Sequence, residues 1–135
     1  MIHAQGSVSY DSTLAKKLHA DPYGMKKYVL ALLKPGKATE TDKKVRDSIF
    51  RGHMANIVRL ANEGKLILAG PFADNKDYEG LFLFNSDNIQ EVKEWVSTDP
   101  AVKANFLDPQ LIVWYGSAAI QEVQRIHAAI QKEKF

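Results

Sequence analysis

The 135-residue sequence contains no cysteine, which excludes disulfides, zinc–thiolate sites, iron–sulfur clusters and a thiol nucleophile. No apolar run approaches the roughly 20 residues that a membrane-spanning helix needs, so no membrane partner is expected. No basic stretch followed by an apolar one opens the chain as an intact secretory signal would. The default reading is cytoplasmic; Ala4, a small residue within residues 1–5, leaves open an exported or periplasmic protein whose N-terminus is the tail of a trimmed cleavage site. Charge of one sign is equally scarce. Eighteen Lys and Arg against 16 Asp and Glu give a formal net charge of +2, too weak a bias to point to nucleic acid. The familiar chemical signatures are missing as well: no Gly-x-Gly-x-x-Gly after a strand, no Walker lysine, no His-Glu-x-x-His and no nucleophile elbow. The four histidines, His3, His19, His53 and His127, are scattered without metal-ligand spacing. Neither a metal nor a cofactor is expected.

What is present reads as one ordinary globular domain, 45% hydrophobic and 25% charged, long enough for one sizeable core. After a polar, Ser- and Gly-containing arm, residues 13–20 form a short helical stretch stopped by Asp21-Pro22 and Gly24. Strands are expected at 27–33, 65–72, 79–84 and 110–115, the middle two as a hairpin. A long helix capped by Thr39 or Thr41 fills the first crossover and stops at Gly64. A second helix starts at Asp87, followed by a short turn with Asp99 at the cap and Pro100 at its first position. Ser117 caps a final helix with the stripe Ile120, Val123, Ile126 and Ile130. The order βαββαβ, with right-handed crossovers, puts both core helices on one face of a four-stranded antiparallel sheet. The fold class is therefore α+β and ferredoxin-like. Residues 1–25 form an N-terminal arm with a short helix, 26–116 the main domain, and 117–135 the C-terminal helix.

All four strands are apolar on both faces, whereas two core helices cover only one. The second face exposes more apolar area than a monomer normally tolerates. Either the terminal helices fold over it or a second copy of the sheet packs on it, and the favoured reading is a homodimer through the sheet face.

Chemistry concentrates on His53. Along the long helix, Val45, Ile49, Leu60, His53, Ile57 and Phe50 share one stripe, which aims an imidazole at the core, where it needs a polar partner. Gly52 beside it, costly in mid-helix, suits the close approach of something. Asp99 follows the second core helix and can orient or charge the imidazole as in a general acid–base pair. Its role as an N-cap for Pro100-Ala101 explains it equally well. Tyr28 and Tyr115 are candidate hydroxyl donors to a pocket, and Gly70-Pro71 bends the chain where it can line a cleft. Trp95 and Trp114 read as core or interface aromatics, His127 as packing, and Lys43, Lys44 and Arg46 as a solvated helix face.

His53 in the first core helix, Gly64 and Ala69-Gly70-Pro71 around the second strand, and Asp99-Pro100 before the last strand together resemble the YCII-related family over roughly residues 26–116. The stretches 10–28 and 114–119 resemble a longer subgroup with an extended N-terminus. The resemblance implies a ferredoxin-like fold assembled as a dimeric α/β barrel, and a cleft in which His53 and Asp99 take the roles of the family's facing histidine and aspartate. Muconolactone-isomerase-like enzymes share the broader barrel architecture, which adds proton-transfer, isomerase or lyase chemistry on a small organic acid as an expectation.

Three functions follow as expectations: a small-molecule enzyme using His53 and Asp99 without metal or thiol, a non-catalytic ligand-binding or regulatory dimer, and an RNA-binding module. The last rests on Gly80, Phe82 and Phe84, which echo the aromatic third strand of RNA-recognition modules. Glu79 stands where such a strand carries a basic residue, and no nucleic-acid partner is expected.

Overall fold

A computed structural model describes residues 8–135; His3, Ala4 and most of the arm expected over the first ten residues lie outside the described residues. Helix α1 (Ser12–Lys17) is followed by β1 (Met25–Pro35), α2 (Lys43–Asn62), β2 (Leu66–Pro71), β3 (Gly80–Phe84), α3 (Ile89–Val96), α4 (Pro100–Lys103) and β4 (Leu107–Ser117). A 3₁₀ turn (Ala118–Glu122) leads into α5 (Val123–Ile130). The four strands form one antiparallel sheet in the order β2-β3-β1-β4. This is the ferredoxin-like α+β arrangement that the βαββαβ order implies. Among the described residues no helix is long and apolar enough to cross a membrane.

Alternation along β1 divides the sheet into two faces. Val29, Ala31 and Leu33 join Phe82 and Phe84 of β3 beneath Leu60 of α2 and Val92 and Val96 of α3, forming the main core. Both core helices thus lie on one face. Phe82 and Phe84 are buried in that layer, turned away from the open face on which an RNA module would display them. On the other face Tyr28, Ile67 and Leu83 form a smaller cluster with Leu30, Leu68 and Ile120. The 3₁₀ turn covers only this end. Ile112 and Trp114 of β4 remain about 40% exposed.

Several boundaries differ from the sequence expectation for local reasons. Strand β4 begins at Leu107 and runs through Pro109, because β4 is an edge strand and its proline opposite Leu33 lacks no ladder partner that an interior strand would require. Helix α2 is capped by Asp42, whose carboxylate accepts from Lys44 N–H at 2.8 Å, not by Thr39 or Thr41. It ends at Gly64 (φ +75°), with Gly64 N–H bonded to Ala61 O and Lys65 N–H to Leu60 O, the paired closure of a Schellman end. Helix α3 is capped by Asn88, one residue after Asp87. Ser117 caps the 3₁₀ turn, accepting from Ala119 N–H at 3.2 Å. The single terminal stripe is consequently split: Ile120 packs on the sheet, while Ile126 and Ile130 on α5 are exposed. Helix α5 instead lies along the free edge of β2, where Gln124 Nε2 donates to Ile67 O at 2.8 Å. That bond takes up one backbone carbonyl of the β2 edge.

Candidate active site

The site begins with spacing on α2. Arg46, Phe50, His53 and Ile57 stand at i, i+4, i+7 and i+11, one stripe of a helix, and all four line a single cleft. The cleft has a volume of about 460 Å³ and lies between α2 and the β2 and β3 ends of the sheet. Its walls are largely apolar, and Phe50, Phe82 and Phe106 are among them. The imidazole of His53 stacks on Phe82, with centroids 6.0 Å apart, and meets Phe50 edge-on at 5.8 Å. Phe50 in turn meets Phe106 edge-on at 5.8 Å.

Asp99 reaches the histidine from the turn between α3 and α4. Its side chain is fully buried, whereas that of His53 retains 13% exposure. His53 Nδ1 donates to Asp99 Oδ2 at 2.6 Å, and Ala101 N–H donates to Asp99 Oδ1 at 2.8 Å. The two roles read for Asp99 are therefore both real and fall on different oxygens: one orients the imidazole, the other caps α4. With both oxygens accepting, Nδ1 carries the proton, and Nε2 is left as the free nitrogen. Among the described residues Nε2 has no protein partner, and no buried polar side-chain atom lacks one, so Nε2 opens to the cleft.

Gly52 explains how the two helices come close enough. A Cβ at this position would lie 2.9 Å from Pro100 Cγ, closer than packed carbons tolerate. The dipeptides Gly52-His53 and Asp99-Pro100 are thus interlocked: the missing side chain of one admits the ring of the other, and the adjacent imidazole and carboxylate meet. A polar brace holds the same junction. Arg59 Nη2 donates to Asn56 Oδ1 at 2.9 Å and to Thr98 Oγ1 at 3.0 Å, while Thr98 Oγ1 donates to Trp95 O at 2.6 Å.

The remaining sequence candidates divide. Gly70 and Pro71 line the cleft at the end of β2. Gly52 sits behind the cleft and serves the contact with Pro100. Tyr28 is not a cleft residue: it pairs opposite Trp114 on the other face of the sheet, and its hydroxyl donates to Ser117 O at 2.7 Å. Burial pushes its phenol above the ordinary value. Tyr115 is not a cleft residue either. Its hydroxyl donates to Asp21, a bond that raises the tyrosine and lowers the aspartate from their ordinary values and ties the N-terminal turn to β4. Strand register places both tyrosines at the far end of the sheet from His53. Arg46 and Phe106 are among the cleft residues missed from the sequence. Arg46, read as part of a solvated basic face, lies on its wall with the guanidinium carbon 5.7 Å from the Phe106 ring centre. Its spacing of seven from His53 was the available signal; Phe106, beyond the short helix α4, carried none. Among the described residues no group of three or more His, Asp or Glu side chains is placed to hold a metal ion.

A buried carboxylate orienting an imidazole at a largely apolar cleft, carried on a ferredoxin-like α+β sheet, defines the class of protein. A family model for the YCII-related domain matches residues 25–114, most of the chain, and the chain belongs to the YCII-related family. Among solved structures it is similar to 5-chloro-2-hydroxyhydroquinone dehydrochlorinase (TftG) from Burkholderia phenoliruptrix AC1100, in complex with 2,5-dihydroxybenzoquinone. The two share 22% identity with a TM-score of 0.43, over 66% of this chain and 91% of that one. No curated protein matches the chain.

Proposed function

We propose that this protein is an enzyme that moves a proton on a small organic substrate held in the cleft, with His53 as general base and acid and Asp99 as its positioning partner. The observation that carries the reading is the 2.6 Å bond between His53 Nδ1 and Asp99 Oδ2, which leaves Nε2 open to the cleft. A proton leaving a carbon or hydroxyl of the substrate passes to Nε2. The resulting imidazolium is stabilised by the carboxylate on the opposite nitrogen, and the proton is returned to another atom of the substrate. Return to a second carbon is an isomerisation; return to a departing oxygen is an elimination. A positioned base of this kind contributes roughly 10²–10⁴ in rate.

The test is solvent deuterium. Enolisable unsaturated ring acids and lactones, incubated with the protein in D₂O, should acquire deuterium at carbon faster than in buffer. Binding without exchange across such a panel would leave a ligand-binding dimer as the function.

We infer, too, that the open face of the sheet pairs with a second copy of the chain. Its support is the partly exposed Ile112 and Trp114 on the face that the 3₁₀ turn leaves uncovered. A two-fold arrangement meets such a patch with itself.

A further inference from the structure

The His53–Asp99 pair leaves a second polar group in the same cleft unaccounted for. Arg46 stands seven residues before His53 on the same stripe of α2, about 10 Å along the helix axis. Its guanidinium is held over Phe106, at 5.7 Å from the ring centre. Among the described residues no carboxylate forms an ion pair with it: the neighbouring Asp47 is bonded to Lys43, and Glu79, the other charged residue on the cleft wall, pairs with nothing. An exposed cation lying over an aromatic ring of the cleft wall, without a counter-ion, is half of a recognition site. Arginine presents a planar fork of N–H donors that matches a carboxylate in two parallel bonds.

We propose that Arg46 recognises the anionic group of the substrate, and that the substrate is a flat unsaturated or aromatic ring compound bearing a carboxylate. This rests on the proton-transfer reading of the cleft and gives it a substrate class. The ring lies among Phe50, Phe82 and Phe106, which accept stacked or edge-on contacts with a π face. One end is held by the guanidinium, and the reacting carbon is presented to Nε2 of His53. Glu79 on the wall repels the carboxylate, which favours binding at the Arg46 end.

The experiment is a titration of the full chain with 2-naphthoate and with its neutral counterpart 2-naphthamide, followed by calorimetry and by NMR of the His53 imidazole. The wild type should bind naphthoate about tenfold more tightly, the lower end of what a hydrogen-bonded charge supplies at a partly exposed site. Arg46→Gln should bring the ratio close to one while keeping the naphthamide affinity, and Glu79→Gln should tighten naphthoate severalfold. Equal affinities in the wild type, no binding of either ligand, or a preference that survives Arg46→Gln would each overturn the assignment. The last outcome would transfer the anion to another group of the cleft. The proton-transfer reading fails separately: if naphthoate preference follows Arg46 while His53→Gln leaves deuterium exchange into carbon acids unchanged, the cleft is an anion-binding site without that chemistry. If exchange depends on His53 but both naphthyl ligands bind equally, the chemistry stands and the assignment of Arg46 falls.

Discussion

Asp99 divides its carboxylate between two helices: Oδ2 accepts from His53 Nδ1 on α2, and Oδ1 accepts from Ala101 N–H at the start of α4. One buried group therefore fixes both the position of a helix and the tautomer of an imidazole. Asp99→Asn separates the two roles. Its amide oxygen can still cap Ala101, but the amide nitrogen then faces His53 as a donor. The imidazole should respond by moving its proton to Nε2, which ¹⁵N NMR reads directly as a change from the Nδ1–H to the Nε2–H tautomer. Retention of the wild-type tautomer would show that Asp99 does not set it. Asp99→Ala should cost about 2–4 kcal/mol in denaturant unfolding, from loss of the cap and of the partner of a largely buried imidazole.

Gly52→Ala sets two effects against each other. Alanine in mid-helix gains about 1 kcal/mol over glycine, yet its Cβ would sit 2.9 Å from Pro100 Cγ, and overpacking of this sort costs about 1–3 kcal/mol. The net expectation is a loss of roughly 1 kcal/mol with a larger effect on the site than on the fold. The ¹H resonance of the His53 Nδ1–H should weaken or shift as α4 is pushed from α2. A more stable variant with an unaltered resonance would contradict the interlock.

The bond between Tyr115 and Asp21 carries a pH dependence with a defined sign. The tyrosine hydroxyl, followed by the backbone N–H of Met25, holds Asp21 below its ordinary value. A carboxylate lowered on folding contributes stability above its unfolded pKa, and that contribution is lost as the pH falls through the folded value. Tyr115 is raised, chiefly by the same bond, so the tyrosine's share is present below its unfolded pKa and lost as the pH rises through the folded one. The N-terminal turn should therefore stay docked at neutral pH and loosen at both extremes. In Tyr115→Phe the Asp21 carboxyl should titrate at a higher pH than in the wild type, observed by NMR of its side-chain carbon. An unmoved titration would mean that the bond is absent in solution.

The open sheet face makes its own test of assembly. Sedimentation equilibrium of the wild type should give the mass of two chains. Trp114→Glu places a charge on the exposed β4 side of that face and should give the mass of one, with the circular dichroism of the fold retained. A wild type that sediments as a single chain would remove the dimer.

Much of this was legible in the sequence because it is encoded in periods and caps. The period of α2 placed His53 on the core stripe, and the same period carries Arg46 and Phe50 to the cleft; only the basic residues around Arg46 disguised it as a solvated face. The four strands were visible as apolar runs, but Pro109 hid the first part of β4, since edge position is a property of the assembled sheet. The cap and the orienting role of Asp99 looked like competing explanations from the sequence. A carboxylate has two oxygens, and only three dimensions show that each is used. The tyrosines fall outside the cleft for two reasons: alternation along β1 turns Tyr28 to the face away from α2, whereas Tyr115 is on the helix face and is removed from His53 by register, which sets distance along the sheet. The final helix failed as a single stripe because Ser117 caps a 3₁₀ turn first, rotating Ile120 away from Ile126 and Ile130.

The most direct test of proton transfer by His53 is solvent deuterium exchange compared between the wild type and His53→Gln. With an enolisable unsaturated ring acid in D₂O, the wild type is expected to incorporate deuterium at carbon at least about 10²-fold faster than the variant, while the variant keeps its fold. Equal rates in the two proteins would contradict the role of His53.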